Sequence, residues 1–230
     1  MKNEDTGTRL SEIFESIQGE GILVGVRQLF LRFCGCNLNC YYCDTIKESD
    51  FCVNHTNGEV IKNPISLGYI QKVIDSAKVH SVSFTGGEPL LHADFIKKIN
   101  KSKPFYLESN MSLPENAKKL KFFDFVAGDL KVRESGVKNY EKLLENTFRC
   151  FKILRNRRNR LTFCKIVLPS EFDLEEVKNS AMQIKDYVVC FVLQPVFGSR
   201  LEKIFKLQKE MMEFADVRVI PQVHKLIGVR

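Results

Sequence analysis

Two kinds of segment alternate along the chain. Short runs of β-branched and aromatic residues are followed by longer segments in which apolar residues recur every three or four positions. The first pattern predicts strands and the second predicts amphipathic helices, because side chains alternate between the faces of a strand but return to one face of a helix. Strands are predicted at 27–33, 79–84, 105–108, 122–126, 161–168, 187–193 and 217–220.

Three of the intervening segments carry a clear apolar face. A helix is predicted over 137–154, a second one starts near Asp173, and a third covers about 201–212. The apolar faces comprise Val137, Tyr140, Leu144, Phe148 and Phe151 in the first helix, Leu174, Val177, Ala181 and Ile184 in the second, and Leu201, Ile204, Phe205 and Met212 in the third.

This alternation predicts parallel strands joined by right-handed crossovers, in a doubly wound sheet or a complete or partial barrel. About six repeats are too few for a closed eight-fold barrel, so the predicted fold is α/β, a partial (β/α) barrel of about six repeats. No linker divides the chain. Residues 1–230 are therefore predicted to form a single domain, with a polar, aperiodic excursion at about 46–64.

The composition excludes several classes of protein. The 230 residues are 44% hydrophobic and 27% charged, which is unlike a disordered, collagen-like or coiled-coil chain. The longest apolar run, 187–193, is far shorter than the roughly 20 residues that cross a bilayer. The amino-terminal MKNEDTGTRL lacks the apolar stretch of a secretory signal, so the expected location is cytoplasmic, without membrane contact.

The net charge of +7 favours anionic partners. Much of the excess lies in one stretch, and such a run is more often a solvated helix end than a binding site. The alternative is a zinc- or cluster-bearing nucleic-acid-binding module that uses 155–160, but no aromatic residues interleave this run. We therefore expect no direct nucleic-acid contact. The basic stretch comprises Arg149, Lys152, Arg155, Arg157, Arg158, Arg160 and Lys165.

The eight cysteines fall into two groups. Four are crowded into 34–43, and the others are scattered at Cys52, Cys150, Cys164 and Cys190. An even number of cysteines in a cytosolic chain of this length does not imply disulfides. Cys164 and Cys190 lie in apolar strand-like runs, so we expect both to be inert core residues.

The crowded group contains the spacing C-x3-C-x2-C at Cys36, Cys40 and Cys43. Structural zinc usually takes four ligands, whereas three thiolates on an iron–sulfur cubane leave one iron open to bind another molecule. The spacing therefore indicates a chemical site. A zinc site that recruits Cys34 or Cys52 as its fourth ligand remains the alternative.

Motifs follow three successive predicted strands: the cysteine group, then TGGEP at 85–89, then ESN at 108–110. The carboxyl ends of parallel strands share one edge, where active sites gather. Gly86 and Gly87 would let the backbone approach a ligand closely. Taken alone, TGGEP is better explained as an ordinary strand-to-helix turn that has Pro89 at the first helical position.

The combination of C-x3-C-x2-C after the first strand with Gly-Gly-Glu-Pro after the second resembles the radical S-adenosylmethionine (SAM) superfamily. The resemblance implies a partial barrel of radical SAM type, in which the three cysteines hold a 4Fe–4S cluster. The open iron of that cluster would chelate SAM, and reductive cleavage would yield a 5′-deoxyadenosyl radical. The glycine pair and Glu88 are expected to face the methionyl ammonium.

Further segments narrow the resemblance. EIFESIQGEG at 12–21, LRFCGCNLNC, CDT and PQVHK together resemble the 7-carboxy-7-deazaguanine synthase family. Its members convert 6-carboxy-5,6,7,8-tetrahydropterin into 7-carboxy-7-deazaguanine and ammonia, on the route to queuosine and archaeosine, with catalytic SAM and assisting Mg²⁺. The resemblance also implies a homodimer and an electron donor such as flavodoxin or ferredoxin.

The resemblance assigns roles residue by residue. Thr45, a hard oxygen donor, matches the magnesium ligand. Arg32 is expected to point into the barrel toward a carboxylate, its natural bidentate partner, with an outward arginine as the alternative. The cluster ligands are Cys36, Cys40 and Cys43; the SAM-binding residues are Tyr42, Cys43, Asp44, Gly87, Glu88, Lys131 and Gln194; the substrate-binding residues are Ile17, Gln18, Gly19, Arg32, Thr85 and, through its terminal carboxylate, Arg230.

The chain also departs from the family. Glu-Thr-Asn-Gly is common after the third strand and Ser-Pro-Lys after the fourth, whereas this chain has ESNM at 108–111 and DLK at 129–131. His224 is left open between a structural and a catalytic role. A glycyl-radical activating enzyme is the rival reading, since it would share the cysteine loop but would not need SIQGEG or PQVHK. Replacement of Gln18 would separate the two.

Overall fold

The computed structural model describes residues 7–43, 45 and 48–230, which form one mixed sheet with flanking helices. The strands are β1 (Leu10–Ile17), β2 (Arg27–Phe33), β3 (Phe51–Asn54), β4 (Glu59–Lys62), β5 (Ser81–Gly86), β6 (Phe105–Ser109), β7 (Phe125–Asp129), β8 (Leu161–Leu168), β9 (Phe191–Pro195) and β10 (Val217–Val219). The α-helices are α1 (Leu67–Ser76), α2 (Ala93–Ile96), α3 (Pro114–Ala117), α4 (Tyr140–Ile153), α5 (Leu174–Met182), α6 (Glu202–Met211) and α7 (Val223–Ile227).

The strand order within the described chain is β10-β9-β8-β7-β6-β5-β2-β1-β3-β4. From β2 through β5 to β10 every neighbouring pair is parallel. The six connections between these seven strands contain α1 to α6 in turn. The order ends at β10 on one side and at β4 on the other, so the sheet is a partial barrel of six repeats, and the predicted fold class is confirmed.

Sequence pattern missed the strands on the other side of β2. β1 pairs antiparallel with β2 and parallel with β3, which forms a hairpin with β4. Both strands of this hairpin fall within the predicted excursion at about 46–64 and extend the sheet. β4 is a strand at the edge of the sheet, and most of its residues are exposed. Its sequence therefore lacks the strict alternation of apolar and polar residues that indicates a half-buried strand. Single-domain organisation stays a prediction.

Local signals placed the helices well, but the apolar face predicted for the third helix was wrong. Leu201, Phe205 and Met212 are exposed, and α6 instead buries Ile204, Leu207 and Met211. Asp173 is the N-cap of α5, and its carboxylate accepts a hydrogen bond from the backbone N–H of Glu176 at 2.9 Å. The predicted helix over 137–154 is α4, where Tyr140 and Phe151 are buried. Asn139 has a left-handed backbone just before it, which is why the helix begins later than the pattern suggested.

The core has two layers. A large apolar layer lies between the sheet and the helices and includes Cys52, Cys150 and Cys164. A smaller cluster around Tyr106, Phe163 and Val192 packs with Ile22, Leu23 and Ile220; Cys190 belongs to it. Both Cys164 and Cys190 are buried, as predicted. None of the helices in the described part of the chain is long and apolar enough to cross a membrane.

Candidate functional site

One cleft of about 440 Å³ lies at the carboxyl ends of the parallel strands. It brings together most of the predicted site residues, which the sequence scatters from position 17 to position 230. Asp44 lies outside the described residues. The predicted residues that line the cleft are Ile17, Gln18, Gly19, Arg32, Cys36, Cys40, Tyr42, Cys43, Thr45, Thr85, Gly87, Lys131, Gln194 and Arg230.

The cysteine loop follows β2 and lines one wall of the cleft with Cys36, Cys40 and Cys43. The backbone N–H of Leu38 donates to the Cys36 sulfur at 3.4 Å, and the Asn110 amide lies 3.8 Å from the same sulfur. Such donors favour a thiolate and tune a cluster bound to it. Burial raises the pKa of the Cys40 thiol, an effect that the Lys131 charge opposes.

The donor set fits a cubane better than a single metal ion. Within residues 7–43, 45 and 48–230, no three His, Cys, Asp or Glu side chains converge as the ligands of one ion would. A 4Fe–4S cluster does not require that convergence, because each thiolate binds a different iron. Cys34 and Cys52, the possible fourth zinc ligands, are buried in the protein and do not line the cleft.

The TGGEP motif is built onto the cysteine loop. Gly86 has φ +110°, and a Cβ there would lie 2.5 Å from backbone atoms of Phe33. A Cβ on Gly87 would overlap the carbonyl group of Gly35. The backbone N–H of Gly87 donates to Phe33 and that of Glu88 to Gly35, both at 2.8 Å. Only glycines permit this approach, so the motif and the loop form one unit.

Glu88 contacts the protein interior, and its expected contact with SAM stays a prediction. Its side chain is fully buried and does not line the cleft. One carboxylate oxygen accepts from the Leu90 N–H and the Ser109 hydroxyl, and the other accepts from the Asn110 N–H at 2.7 Å. Burial, opposed by these donors, raises the pKa of Glu88 to about 7. Glu88 thus ties the turn after β5 to the end of β6.

Three polar atoms of the cleft wall are buried and have no hydrogen-bond partner among the described residues: the Tyr42 hydroxyl, the Gln194 carbonyl oxygen and Oδ1 of Asp129, which lies 3.6 Å from the Lys165 ammonium. Lys131 donates to the other Asp129 oxygen at 2.7 Å and lies 5.6 Å from the centroid of the Tyr42 ring. Buried polar atoms without partners are rare in proteins. Their presence beside the cysteines fits a polar cofactor such as SAM.

The predicted substrate residues line the same cleft. The Arg32 guanidinium is partly exposed in the cleft and pairs with Glu12, its direct neighbour across β1 and β2, at 3.0 Å. It therefore points inward, as predicted, but already holds one protein carboxylate. Thr85 donates to Glu108 at 3.0 Å. The Arg230 side chain pairs with Glu12 as well.

The side chain of Gln18 forms hydrogen bonds within the protein. Its amide N–H donates to Gln28 at 3.0 Å, and its carbonyl oxygen accepts from the backbone N–H of Glu20 at 3.0 Å. With 3% of the residue exposed, Gln18 shapes the loop after β1 more than it offers an amide to a ligand. Its expected contact with the pterin stays a prediction, as do the roles of the other site residues.

The carboxyl-terminal segment packs on the same loop. The Val223 N–H donates to the Gly19 carbonyl at 2.9 Å, and a Cβ on Gly19 would overlap the His224 ring. The Arg230 carbonyl accepts from the Ser16 hydroxyl at 2.8 Å. His224 lines the cleft, but no contact of its ring decides between a structural and a catalytic role.

The basic stretch does not behave as one surface. Arg160 is buried, and its guanidinium donates to the carbonyl groups of Phe123 and Arg155, both at 3.3 Å. This turn precedes β8 and thus lies at the end of the strand opposite to the cleft. The assignment of Lys165 to this solvated stretch was wrong, because Lys165 lines the cleft and is 94% buried.

Lys165 is the residue that sequence reasoning missed. Its ammonium lies 2.5 Å from both Glu20 and Glu108, and 3.6 Å from Asp129. The alternation of side chains within β8 predicts this position. Cys164 and Ile166 face the main core, whereas Phe163 belongs to the inner cluster. Lys165, two residues after Phe163, therefore lies on the inward face of the strand. Burial opposes the charge, but the acids raise the pKa of Lys165 well above its usual value.

Comparison with known proteins agrees with this geometry. The model of the radical SAM superfamily matches residues 31–184. A protein of Archaeoglobus fulgidus named 7-carboxy-7-deazaguanine synthase is 68% identical over 96% of this chain and 98% of its own length. A protein of the same name from Methanothermobacter thermautotrophicus is 34% identical over 95% and 96%. The crystal structure of QueE from Escherichia coli shares the fold, with TM-score 0.59, 18% identity and 94% of each chain covered.

Proposed function

This chain belongs to the 7-carboxy-7-deazaguanine synthase family of the radical SAM superfamily, and from that premise we propose that its cleft converts 6-carboxy-5,6,7,8-tetrahydropterin into 7-carboxy-7-deazaguanine and ammonia. The family uses a 4Fe–4S cluster and SAM. One observation carries the proposal: a single cleft is lined by the cysteine triad, by residues with buried polar atoms that have no hydrogen-bond partner, and by Arg32.

Cys36, Cys40 and Cys43 would hold the cluster on one wall of the cleft. Lys131 and Tyr42 lie beside it, where the unpartnered Tyr42 hydroxyl is ready to contact SAM. When bound, the cluster and SAM supply the radical chemistry, which belongs to the cofactors rather than to the protein. The chain's own contribution is to orient the reactants and to exclude water from them.

Near the end of β2, Arg32 lines the cleft and is the cation that would bind the substrate carboxylate. Arginine suits this role because its planar fork matches a carboxylate with two parallel hydrogen bonds. Thr45 also lines the cleft, and its hydroxyl would serve as a magnesium ligand; Mg²⁺ keeps positions for water and a substrate oxygen.

The further properties that the resemblance implied belong to the same proposal. A one-electron donor, such as flavodoxin or ferredoxin, would reduce the cluster. A cytoplasmic location suits cysteines that must stay reduced. Assembly as a homodimer is checked by sedimentation equilibrium of the purified protein, where a monomer mass over the micromolar range would refute it.

The test of the function is anaerobic. The protein is reconstituted with iron and sulfide, then supplied with reductant, SAM, Mg²⁺ and 6-carboxy-5,6,7,8-tetrahydropterin, and the products are identified by mass spectrometry. We expect 7-carboxy-7-deazaguanine without stoichiometric accumulation of 5′-deoxyadenosine. SAM cleavage that leaves the pterin untouched would favour the glycyl-radical activating rival. A colourless zinc protein would overturn both.

A further inference from the structure

Lys165 occupies an unusual place for a lysine. It lies on the inward face of β8, where Asp129 of β7 and Val192 of β9 are its direct neighbours in the sheet. Only 6% of the residue is exposed, yet it lines the cleft together with Val167. A buried lysine normally requires a paired acid, and here two carboxylates contact its ammonium directly.

The two carboxylates come from distant parts of the chain. Glu20 belongs to the loop after β1, and Glu108 lies on β6; each has an oxygen 2.5 Å from the Lys165 ammonium. The other Glu20 oxygen accepts from Gln222 at 2.7 Å, and the other Glu108 oxygen accepts from Thr85 at 3.0 Å. Lys165 is thus the central group of a network that joins the β1 loop, the strand ends and the carboxyl-terminal segment.

Stability alone is a weak explanation for this network. Replacing a buried ion pair by apolar residues is often neutral or stabilising, because the desolvation of the charges offsets their attraction. All three charged groups line the cleft rather than the apolar layers of the core. At Glu20 burial is outweighed by the combined effect of the Lys165 charge and hydrogen bond, Gln222 and His224, which lowers the pKa of that carboxyl to about 2, whereas burial dominates at Glu108 and raises its pKa.

We propose that Lys165 is a positioning residue for the conversion of the pterin: its ammonium holds the Glu20 and Glu108 carboxylates together and so fixes the β1 loop at the cleft. This inference rests on the proposed function. Each carboxylate oxygen has two acceptor directions, so both acids keep capacity to accept N–H groups of the pterin ring. The role of Lys165 is exerted through these acids and not by contact with the substrate.

The experiment compares Lys165→Met, which keeps the length but removes the charge, with the conservative Lys165→Arg. Lys178 is the matched control, because its ammonium also pairs with two carboxylates, Glu175 at 2.7 Å and Glu210 at 2.8 Å, but lies outside the cleft. The holoenzyme with SAM is titrated against 6-carboxypterin, a fluorescent, unreactive analogue. Iron content, SAM affinity, kcat and KM for the tetrahydropterin are measured on the same preparations.

We expect Lys165→Met to raise Kd for the analogue and KM for the substrate by about tenfold or more, since bonds to charged groups and substrate placement have effects of this size. Lys165→Arg should recover part of the loss, and Lys178→Met should match the wild type. Iron content and SAM affinity should not change. Analogue affinity within twofold of wild type in Lys165→Met, or a parallel loss of iron and SAM binding, would overturn the proposal.

A second variant covers the case in which Lys165→Met does not fold. Glu20→Gln keeps the shape of the side chain but removes the charge that Lys165 holds, and it should weaken analogue binding selectively; unchanged binding would also overturn the proposal. The wild type separates this inference from the function. If the wild-type enzyme binds the analogue but makes no product, the assigned reaction is wrong. The affinities of the variants for the analogue still decide whether Lys165 has the positioning role.

Discussion

Gly87 lies against the carbonyl group of Gly35, so that a Cβ at position 87 would overlap the carbonyl oxygen and lie 2.5 Å from the carbonyl carbon. The same oxygen accepts the backbone N–H of Glu88 at 2.8 Å. The turn after β5 therefore supports the cysteine loop one residue before Cys36. Gly87 therefore determines the conformation of the cysteine loop directly, and it influences a bound ligand only through that loop.

Gly87→Ala is expected to displace the cysteine loop. The clash is with backbone, which cannot rotate away as a side chain would, so overpacking should cost about 1–3 kcal/mol of unfolding free energy. Iron content after reconstitution and SAM affinity should both fall. Gly68 is the control: it lies in α1 with nothing within 4 Å of a Cβ, and Gly68→Ala should be neutral or stabilise the protein. Full iron loading in Gly87→Ala would contradict this reading.

Replacement of Cys36, Cys40 or Cys43 by alanine should abolish both the cluster and product formation, because each thiolate would bind its own iron. Iron and sulfide analysis and the visible absorption of the reconstituted protein check the first effect, and the product assay checks the second. Cys190→Ala is the control, since this thiol is buried in the inner apolar cluster. Turnover in any of the three cleft variants would refute their role as ligands.

Arg32→Lys is expected to raise KM for the pterin by about tenfold or more, because a hydrogen bond to a charged group contributes about 1.5–3 kcal/mol and lysine lacks the planar fork. Arg27 offers a matched control on the same strand: it pairs with Glu15 across β1 and β2 at 2.7 Å but lies outside the cleft. Arg27→Lys should leave KM unchanged. Equal effects of both variants would show that Arg32 acts on the sheet and not on substrate.

Thr45→Ala should chiefly reduce the stimulation of turnover by Mg²⁺, because it removes the hydroxyl that we assign as a ligand. The measurement is the rate of product formation as a function of Mg²⁺ concentration, with cluster content held constant. Thr56, in the turn between β3 and β4, is bonded to Asn54 away from the cleft, so Thr56→Ala is the control. An unchanged magnesium response in Thr45→Ala would remove Thr45 from the site.

Glu20 links stability to pH. Burial alone would raise its pKa, but Lys165 and Gln222 lower it from 4.5 to about 2. A carboxyl with a lowered folded-state pKa contributes stability above the unfolded-state pKa, and this contribution disappears as the pH falls from about 4.5 to about 2. Urea unfolding over this range should show a shallower decline for Glu20→Gln than for the wild type. Parallel curves would mean that the Lys165 pairing does not persist in solution.

Much of this molecule could be predicted from sequence because the relevant signals are local. Alternation of strands and helices determines the parallel sheet, and the count of repeats excludes a closed barrel. The spacing of Cys36, Cys40 and Cys43 indicates an open-iron cluster, and the glycines of TGGEP indicate a close backbone approach. Each of these inferences depends only on residues that are close together in the sequence, so each can be made without the tertiary structure.

Other features depend on contacts between distant residues, which local patterns do not contain. Nothing near Glu88 shows that the donors of Ser109 and Asn110 turn its carboxylate away from the cleft. The lysine at 165 belongs, by composition, to a basic stretch, and only the pairing of β8 between β7 and β9 carries it inward to Glu20 and Glu108. The sequence by itself determined the fold class and, through the family resemblance of its motifs, the cofactor chemistry. The tertiary structure decided which charges meet in the cleft, because burial and pairing are set by residues up to 218 positions apart.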